Sequence, residues 1–297
     1  MATILGISAI LLWGILALLG TMTTSIPAFQ LLFICFSISS LIMFSRRIIR
    51  GERVLKRPNL PLRNWLIGIT GLFGFHFFYF MALRQAPALE VSLIVYLWPL
   101  LLAVLVAHRS QRLQAMLGGV VGFIGVVVLM SGKGELTLSG ESTLGYLLAI
   151  LCALIWSNYS AYLARSPGKV DDIGWISLAV AGLSLLAHLI LESNFSLDAS
   201  LWQFSTSEWL GAILLGLGPV GGAFYLWDIG LKQGNKTLLA SLSFFAPLIS
   251  SVALVMAGQD EASVELLISV ALIMLGGLIA NRRSKQRRAD TADNTTS

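Results

Sequence analysis

The 297-residue chain is 56% hydrophobic and only 12% charged, with a mean hydropathy of +0.82. A water-soluble domain carries roughly a quarter charged residues, so this composition excludes one and points to a membrane protein. The formal net charge of +5 needs no nucleic-acid partner once the basic residues are placed, as follows.

Ten apolar runs of membrane-crossing length recur, at about 3–21, 27–44, 64–83, 88–107, 113–131, 143–164, 172–191, 207–227, 237–257 and 262–280. The first has no basic n-region and no small-residue cleavage site, and reads as a retained helix rather than a signal peptide. It carries Trp13 near its centre. The second holds Cys35, and Cys152 lies in the sixth; both are within spans, so no disulfide framework is implied. The third contains Phe75, His76 and Tyr79, with His76 and Tyr79 three apart on one helical face. An intramembrane histidine is costly and is a functional candidate by default.

The fourth run contains Tyr96, Trp98 and Pro99, and the ninth contains Phe244 and Pro247. A mid-span proline removes a backbone donor and bends the helix, which lipid tolerates only where that backbone is packed or faces a wet cavity. The fifth run is glycine-rich at Gly118, Gly119, Gly122 and Gly125, answered by Gly276 and Gly277 in the tenth, and these serve close helix packing. The sixth brings Trp156 and Tyr159 onto one face, and Asp171-Asp172 are placed to cap the seventh. Trp65, Trp175, Trp202 and Trp209 fall at span ends and read as interfacial anchors. No span has a carboxylate near its centre; Glu90, Asp228 and Glu265 are read as lying near ends.

Basic residues set the orientation. With the N-terminus in the cytoplasm, 18 of the 20 Lys and Arg fall in cytoplasmic segments: Arg46, Arg47, Arg50, Arg53, Lys56, Arg57, Arg63, Arg109, Arg112, Arg165, Lys169, Lys232, Lys236, Arg282, Arg283, Lys285, Arg287 and Arg288. Only Arg84 and Lys133 are left out. The chain is therefore expected in a bacterial inner membrane with both termini on the cytoplasmic side, and residues 282–297 as a basic, disordered tail that holds topology.

The chain also repeats itself. Leu83-Arg84-Gln85 and Pro99-Leu100 recur as Leu231-Lys232-Gln233 and Pro247-Leu248, each 148 residues later. Gly74 and Gly222 share that offset, as do Phe77 and Tyr225, while Trp13 and Trp156 are 143 apart. Five spans per unit is odd, so the second unit must be inverted. The expected fold is an all-α integral membrane protein of ten transmembrane helices, as two inverted five-helix repeats at 1–134 and 142–281. Inverted repeats with interrupted helices are the architecture of secondary transporters. Arg84 and Lys232, equivalent in the two halves, read as helix C-terminal cations facing lipid phosphate.

The segment Glu90-Val91-Ser92-Leu93-Ile94-Val95-Tyr96-Leu97-Trp98-Pro99, with Trp227-Asp228-Ile229-Gly230, Gly234-Asn235 and Pro247, resembles the aromatic amino-acid exporters of the drug/metabolite transporter superfamily, EamA-type branch. The resemblance runs from Trp13 to about Gly277. It implies a central cavity built mainly by helices 1, 3, 4, 6, 8 and 9, and amino-acid efflux. Val95 and Asp228 stand where that pattern usually has Asn.

The resulting expectation is an alternating-access exporter of aromatic and other large apolar amino acids, with no cofactor or metal, surrounded by lipid and able to work as a monomer. Its substrate site is expected at Trp13, His76, Tyr79, Tyr96, Trp98, Pro99, Trp156, Tyr159, Tyr225, Phe244 and Pro247. One rival is a multidrug efflux pump of the same superfamily, which calls for an acid in the first helix. Another is an integral-membrane enzyme, which calls for an acidic metal cluster at the membrane face.

Overall fold

The computed structural model of the chain describes residues 1–56, 58, 60–132, 134, 139–166, 172–196, 198, 202–261 and 263–281, and among these there are helices and turns but no β-strand. Arg57, Lys133, Lys169, Asp171 and the basic run from Arg282 onward, which bear on the expected topology, lie outside the described residues.

Five helices are unbroken: α3 (Ala28–Ile49), α8 (Arg112–Ser131), α9 (Thr143–Leu163), α10 (Asp172–Leu191) and α15 (Val264–Asn281). The other spans are each made of two pieces. These are α1 (Ala2–Gly14) with α2 (Leu16–Gly20), α4 (Leu62–Ile69) with α5 (Phe75–Leu83), and α6 (Ala88–Val95) with α7 (Trp98–Val106). Then come α11 (Thr206–Leu217) with α12 (Gly222–Gln233), and α13 (Lys236–Leu242) with α14 (Phe245–Met256). Among the described residues, eight helices are long and apolar enough to cross a membrane, and ten if each of two pairs, bent by 43° and 41°, is one span.

The interruptions have local causes. Pro99 and Pro247 cannot donate to the carbonyls of Val95 and Ser243, so each helix tightens just before its proline. Leu97 N–H bonds Ile94 and Ala246 N–H bonds Ser243, both three residues back, at 3.1 and 3.2 Å. Between α4 and α5 the backbone widens into a π-turn over Thr70–Gly74. Between α11 and α12, Gly218 and Gly221 leave helical space at φ −104°, ψ −109° and φ −129°, ψ −77°. A Cβ at Gly221 would run into the Gly216 carbonyl, so glycine is required there. The break between α1 and α2 involves no proline; it sits where Gly14 receives the Ile249 side chain of α14.

The closest packing joins α8 to α15, α3 to α10, α1 to α12 and α5 to α9. Small residues carry these contacts, as expected where no hydrophobic effect drives association. A Cβ on Gly118 would meet the Gly276 carbonyl, and Gly6 faces Gly230 across α1 and α12. Ser39 and Ser177 hydroxyls bond at 3.0 Å between α3 and α10. Outward, α8, α9, α10 and α15 expose Leu117, Ile124, Leu147, Leu154, Leu186 and Leu278, a surface suited to lipid.

Candidate functional site

The interrupted helices converge on a cavity of about 640 Å³. It begins at mid-span, at Trp13, Trp98 and Trp156, and reaches Gly20, Ala28, Ala88, Met130 and Leu254 at helix ends on the face opposite Met1. No lining residue is Asp, Glu, Lys or Arg; the polar groups are His76, Tyr79, Tyr96, Ser92, Ser250, Ser251 and Cys35.

Four tryptophans from four spans form the floor. Trp13 lies 6.2 Å from Trp98, 5.7 Å from Trp156 and 5.1 Å from Trp227, ring centre to ring centre, all edge-to-face. Trp98 meets Trp156 at 6.2 Å and Trp227 at 6.1 Å, again edge-to-face. Edge-to-face geometry sets the positive rim of one ring against the negative face of the next, so the cluster is self-supporting. The indole N–H groups also find partners. Trp13 Nε1 donates to the Pro219 carbonyl at 3.0 Å, satisfying backbone released by the α11–α12 break. Trp227 Nε1 donates to Ser160 Oγ at 3.1 Å.

The walls are aromatic as well. Phe75 stacks parallel to Tyr79 at 6.2 Å and tilts on Trp156 at 5.4 Å. Phe36 stacks on Phe224 at 5.8 Å and presents its ring to His76. His76 Nδ1 lies 2.7 Å from the Leu72 carbonyl, which belongs to the π-turn. A carbonyl can only accept, so Nδ1 carries the hydrogen and Nε2 of the neutral ring is an acceptor.

Of the eleven residues expected at the site, Trp13, His76, Tyr79, Tyr96, Trp98, Trp156 and Pro247 line the cavity, and four lie elsewhere. Pro99 is buried behind Trp98 in the first turn of α7. Tyr159 lies one turn beyond Trp156, on a separate small void. Tyr225 turns away and donates its hydroxyl to the Ser39 carbonyl at 2.6 Å. Phe244 packs with Val126, Leu129 and Ile273 against Gly122. Sequence reasoning did not assign Phe224, Ser92, Ser250, Ser251 or Leu215 to the lining, nor Trp227 to the floor. Trp227 was visible only as part of a signature beside Asp228.

One reading of a charge is corrected. Lys232 does not face lipid phosphate: its Nζ lies 2.7 and 2.8 Å from the two carboxylate oxygens of fully buried Asp228. Arg84 Nη2 sits 3.8 Å from Glu192 Oε1. That carboxylate also accepts from the backbone N–H of Phe29 at 3.0 Å and pairs with His188 at 2.8 Å, closing the start of α3. Lys232 thus meets a carboxylate one turn back on its own helix, while the half-exposed Arg84 reaches one that the fold brings from Glu192.

Opposite the cavity mouth the molecule is shut. Tyr162 donates to Asn64 Oδ1 at 2.7 Å, Arg165 Nη2 to the Leu105 carbonyl at 2.6 Å, and Lys236 to the Ala164 carbonyl. The Asn235 N–H bonds Thr3 Oγ1 at 3.1 Å. Among the described residues no group of three or more His, Cys, Asp or Glu could hold a metal ion.

The EamA-like transporter family model matches the chain twice, over residues 1–131 and 143–282. The aromatic amino acid exporter YddG of Ancylobacter novellus is 42% identical over 288 residues, 94% of this chain and 96% of that one. The aromatic amino acid exporter YddG of Salmonella typhimurium is 26% identical over 69% of this chain and 71% of its own. One crystal structure, of a protein 40% identical in sequence, superposes with a TM-score of 0.84 and covers 95% of this chain and 99% of that one.

Proposed function

The chain belongs to the EamA-like transporter family. On that premise we propose that it exports aromatic and other large apolar amino acids across a bacterial inner membrane, by alternating access and without chemical catalysis. The observation that carries this reading is the aromatic, uncharged lining of a cavity of about 640 Å³. That volume lies within the range of about 300–1,000 Å³ typical of small-molecule sites. Rings of the floor and walls would stack on an apolar side chain. His76 Nε2 would accept from the substrate ammonium, and the Tyr79, Tyr96, Ser250 and Ser251 hydroxyls would serve its carboxylate. Pro247 shapes the wall; Pro99, Tyr159, Tyr225 and Phe244 act in this reading as supports behind the site.

The fold we infer is two inverted five-helix repeats, at 1–134 and 142–281. Two separate family matches support it, as does the pairing of helices. Helix α3 packs on α10 and α8 on α15, each against its counterpart in the other unit, while α1 on α12 mirrors α9 on α5. With both termini cytoplasmic, the open cavity faces the periplasm and the shut face is cytoplasmic, so this is an outward-facing state. The cavity is built wholly within one chain, which suits a monomer in lipid. The multidrug rival loses ground because the lining offers a cation no carboxylate.

Counterflow in proteoliposomes tests the reading: preloaded unlabelled phenylalanine should drive uptake of labelled phenylalanine, tryptophan and methionine. Absence of amino-acid exchange in liposomes that pass a lipophilic drug would end it.

A further inference from the structure

Beyond the tryptophan floor, on the shut side, lies a feature that the central cavity does not use. Asp228 is wholly buried one residue past Trp227, and Lys232 follows one helical turn later with both carboxylate oxygens within 2.8 Å. Beside them is a void of about 30 Å³, lined also by Asn64, Tyr159, Tyr162, Ser166 and Asp172. Taking two charges out of water costs about as much as their attraction returns, so a buried pair of this kind is poorly explained by stability.

We propose that Asp228 and Lys232 form a second substrate site, a loading site for the charged head of a zwitterionic amino acid on the face that is shut here. The pair holds one carboxylate and one ammonium at contact distance, which is the complement of the α-amino and α-carboxyl groups of an amino acid. Exchanging partners, Asp228 with the incoming ammonium and Lys232 with the incoming carboxylate, leaves both members of the pair matched and adds no net charge to the void, which Asp172 also lines. No bare ion is created in either state, so the exchange avoids the large cost of an unpaired buried charge. The apolar side chain would meanwhile rest on Tyr159 and Ile176, which line the same void. The void holds about one water as it stands. Separating Tyr162 from Asn64, and Arg165 from the Leu105 carbonyl, would widen it toward that face. A drug cation or a neutral solute cannot replace both members of the pair, so the site selects zwitterions before they reach the uncharged cavity.

This inference rests on the amino-acid export reading, and the test keeps the two apart. Uptake of labelled phenylalanine and of phenylalaninamide, which lacks the carboxylate, is measured in inside-out membrane vesicles. In the unmodified protein, phenylalanine should be strongly preferred. The neutral pair Asp228→Asn/Lys232→Gln should raise the KM for phenylalanine about tenfold and bring the two substrates near parity. The conservative pair Asp228→Glu/Lys232→Arg should keep the preference. A neutral pair that retains both KM and preference overturns the proposal.

A second measurement leaves the ion pair intact and does not depend on those variants folding. In Ser166→Cys, phenylalanine should slow labelling by a membrane-impermeant thiol reagent from the shut face, and phenylalaninamide should not. Equal protection by the two, or none by either, overturns the loading site. Failure of the unmodified protein to take up phenylalanine at all overturns the export reading instead.

Discussion

Replacing Trp13 separates two things that one side chain does. Its ring makes three edge-to-face contacts in the floor, and its Nε1 satisfies the Pro219 carbonyl at 3.0 Å. Trp13→Phe keeps a ring and removes the donor. The loss is one hydrogen bond, about 1 kcal/mol, because Pro219 borders the cavity and water can replace the indole. Trp13→Ala removes the ring contacts too, at ~0.5–1.5 kcal/mol each, for a total of about 3–5 kcal/mol. At roughly 2–4 °C per kcal/mol, the Phe variant should melt a few degrees low and the Ala variant about 10 °C low. Thermal unfolding of detergent-solubilised protein measures this, and equilibrium binding of phenylalanine measures the site. Affinity should fall about twofold for Phe and at least about tenfold for Ala, since the floor loses its shape as well as a contact. An Ala variant that melts with the parent and binds phenylalanine equally well would refute the role given to the cluster.

Three further outcomes follow from the same geometry. His76→Ala should raise the KM for phenylalanine in counterflow about tenfold, and His76→Gln, which restores an acceptor, should recover much of it. Gly276→Leu must force α15 away from the Gly118 carbonyl, at a cost of ~1–3 kcal/mol, whereas Gly277→Leu, with open space where its side chain would go, should melt with the parent. Tyr162→Phe removes a hydrogen bond of about 1 kcal/mol that holds the shut face together. That should shift the balance toward the opposite-facing state about fivefold, read as slower labelling of a Ser250→Cys variant from the open side.

Much of this architecture was legible in the sequence because lipid simplifies the rules. Spans, mid-span aromatics and prolines can be read from hydropathy alone, and Trp13, Trp98 and Trp156 were found that way. The misses trace to helix phase. The eighth span was expected to stop at Trp227, which made Asp228 look like a residue outside it, whereas Lys232 does lie in the last turn of α12. The glycine break at Gly218–Gly221 lets the chain continue to Gln233, and the ion pair with Lys232 makes the buried Asp228 tolerable within it. The same break resets the helical phase, so Phe224 rather than Tyr225 faces the cavity. Tyr159 was tied to Trp156 by a spacing of three, which places residues on one face but not at one depth; Trp156 sits in the floor and Tyr159 packs behind it. The partner of Arg84 could not be read, because only packing brings Glu192 to it, whereas the spacing of four between Asp228 and Lys232 does carry their pairing.

The π-turn at Thr70–Gly74 gives the third span one residue more than a regular helix would hold over the same rise. Deleting a single residue there would let α4 and α5 run on as one regular α-helix over the same rise, and His76, Tyr79 and Phe80 would keep their places in the wall. Deleting a residue within α5 just before Tyr79, where no surplus absorbs the change, would instead rotate Tyr79 and Phe80 by about 100° and carry them out of the wall. Tolerance of a change in chain length is thus concentrated in a turn that contributes no side chain to the lining.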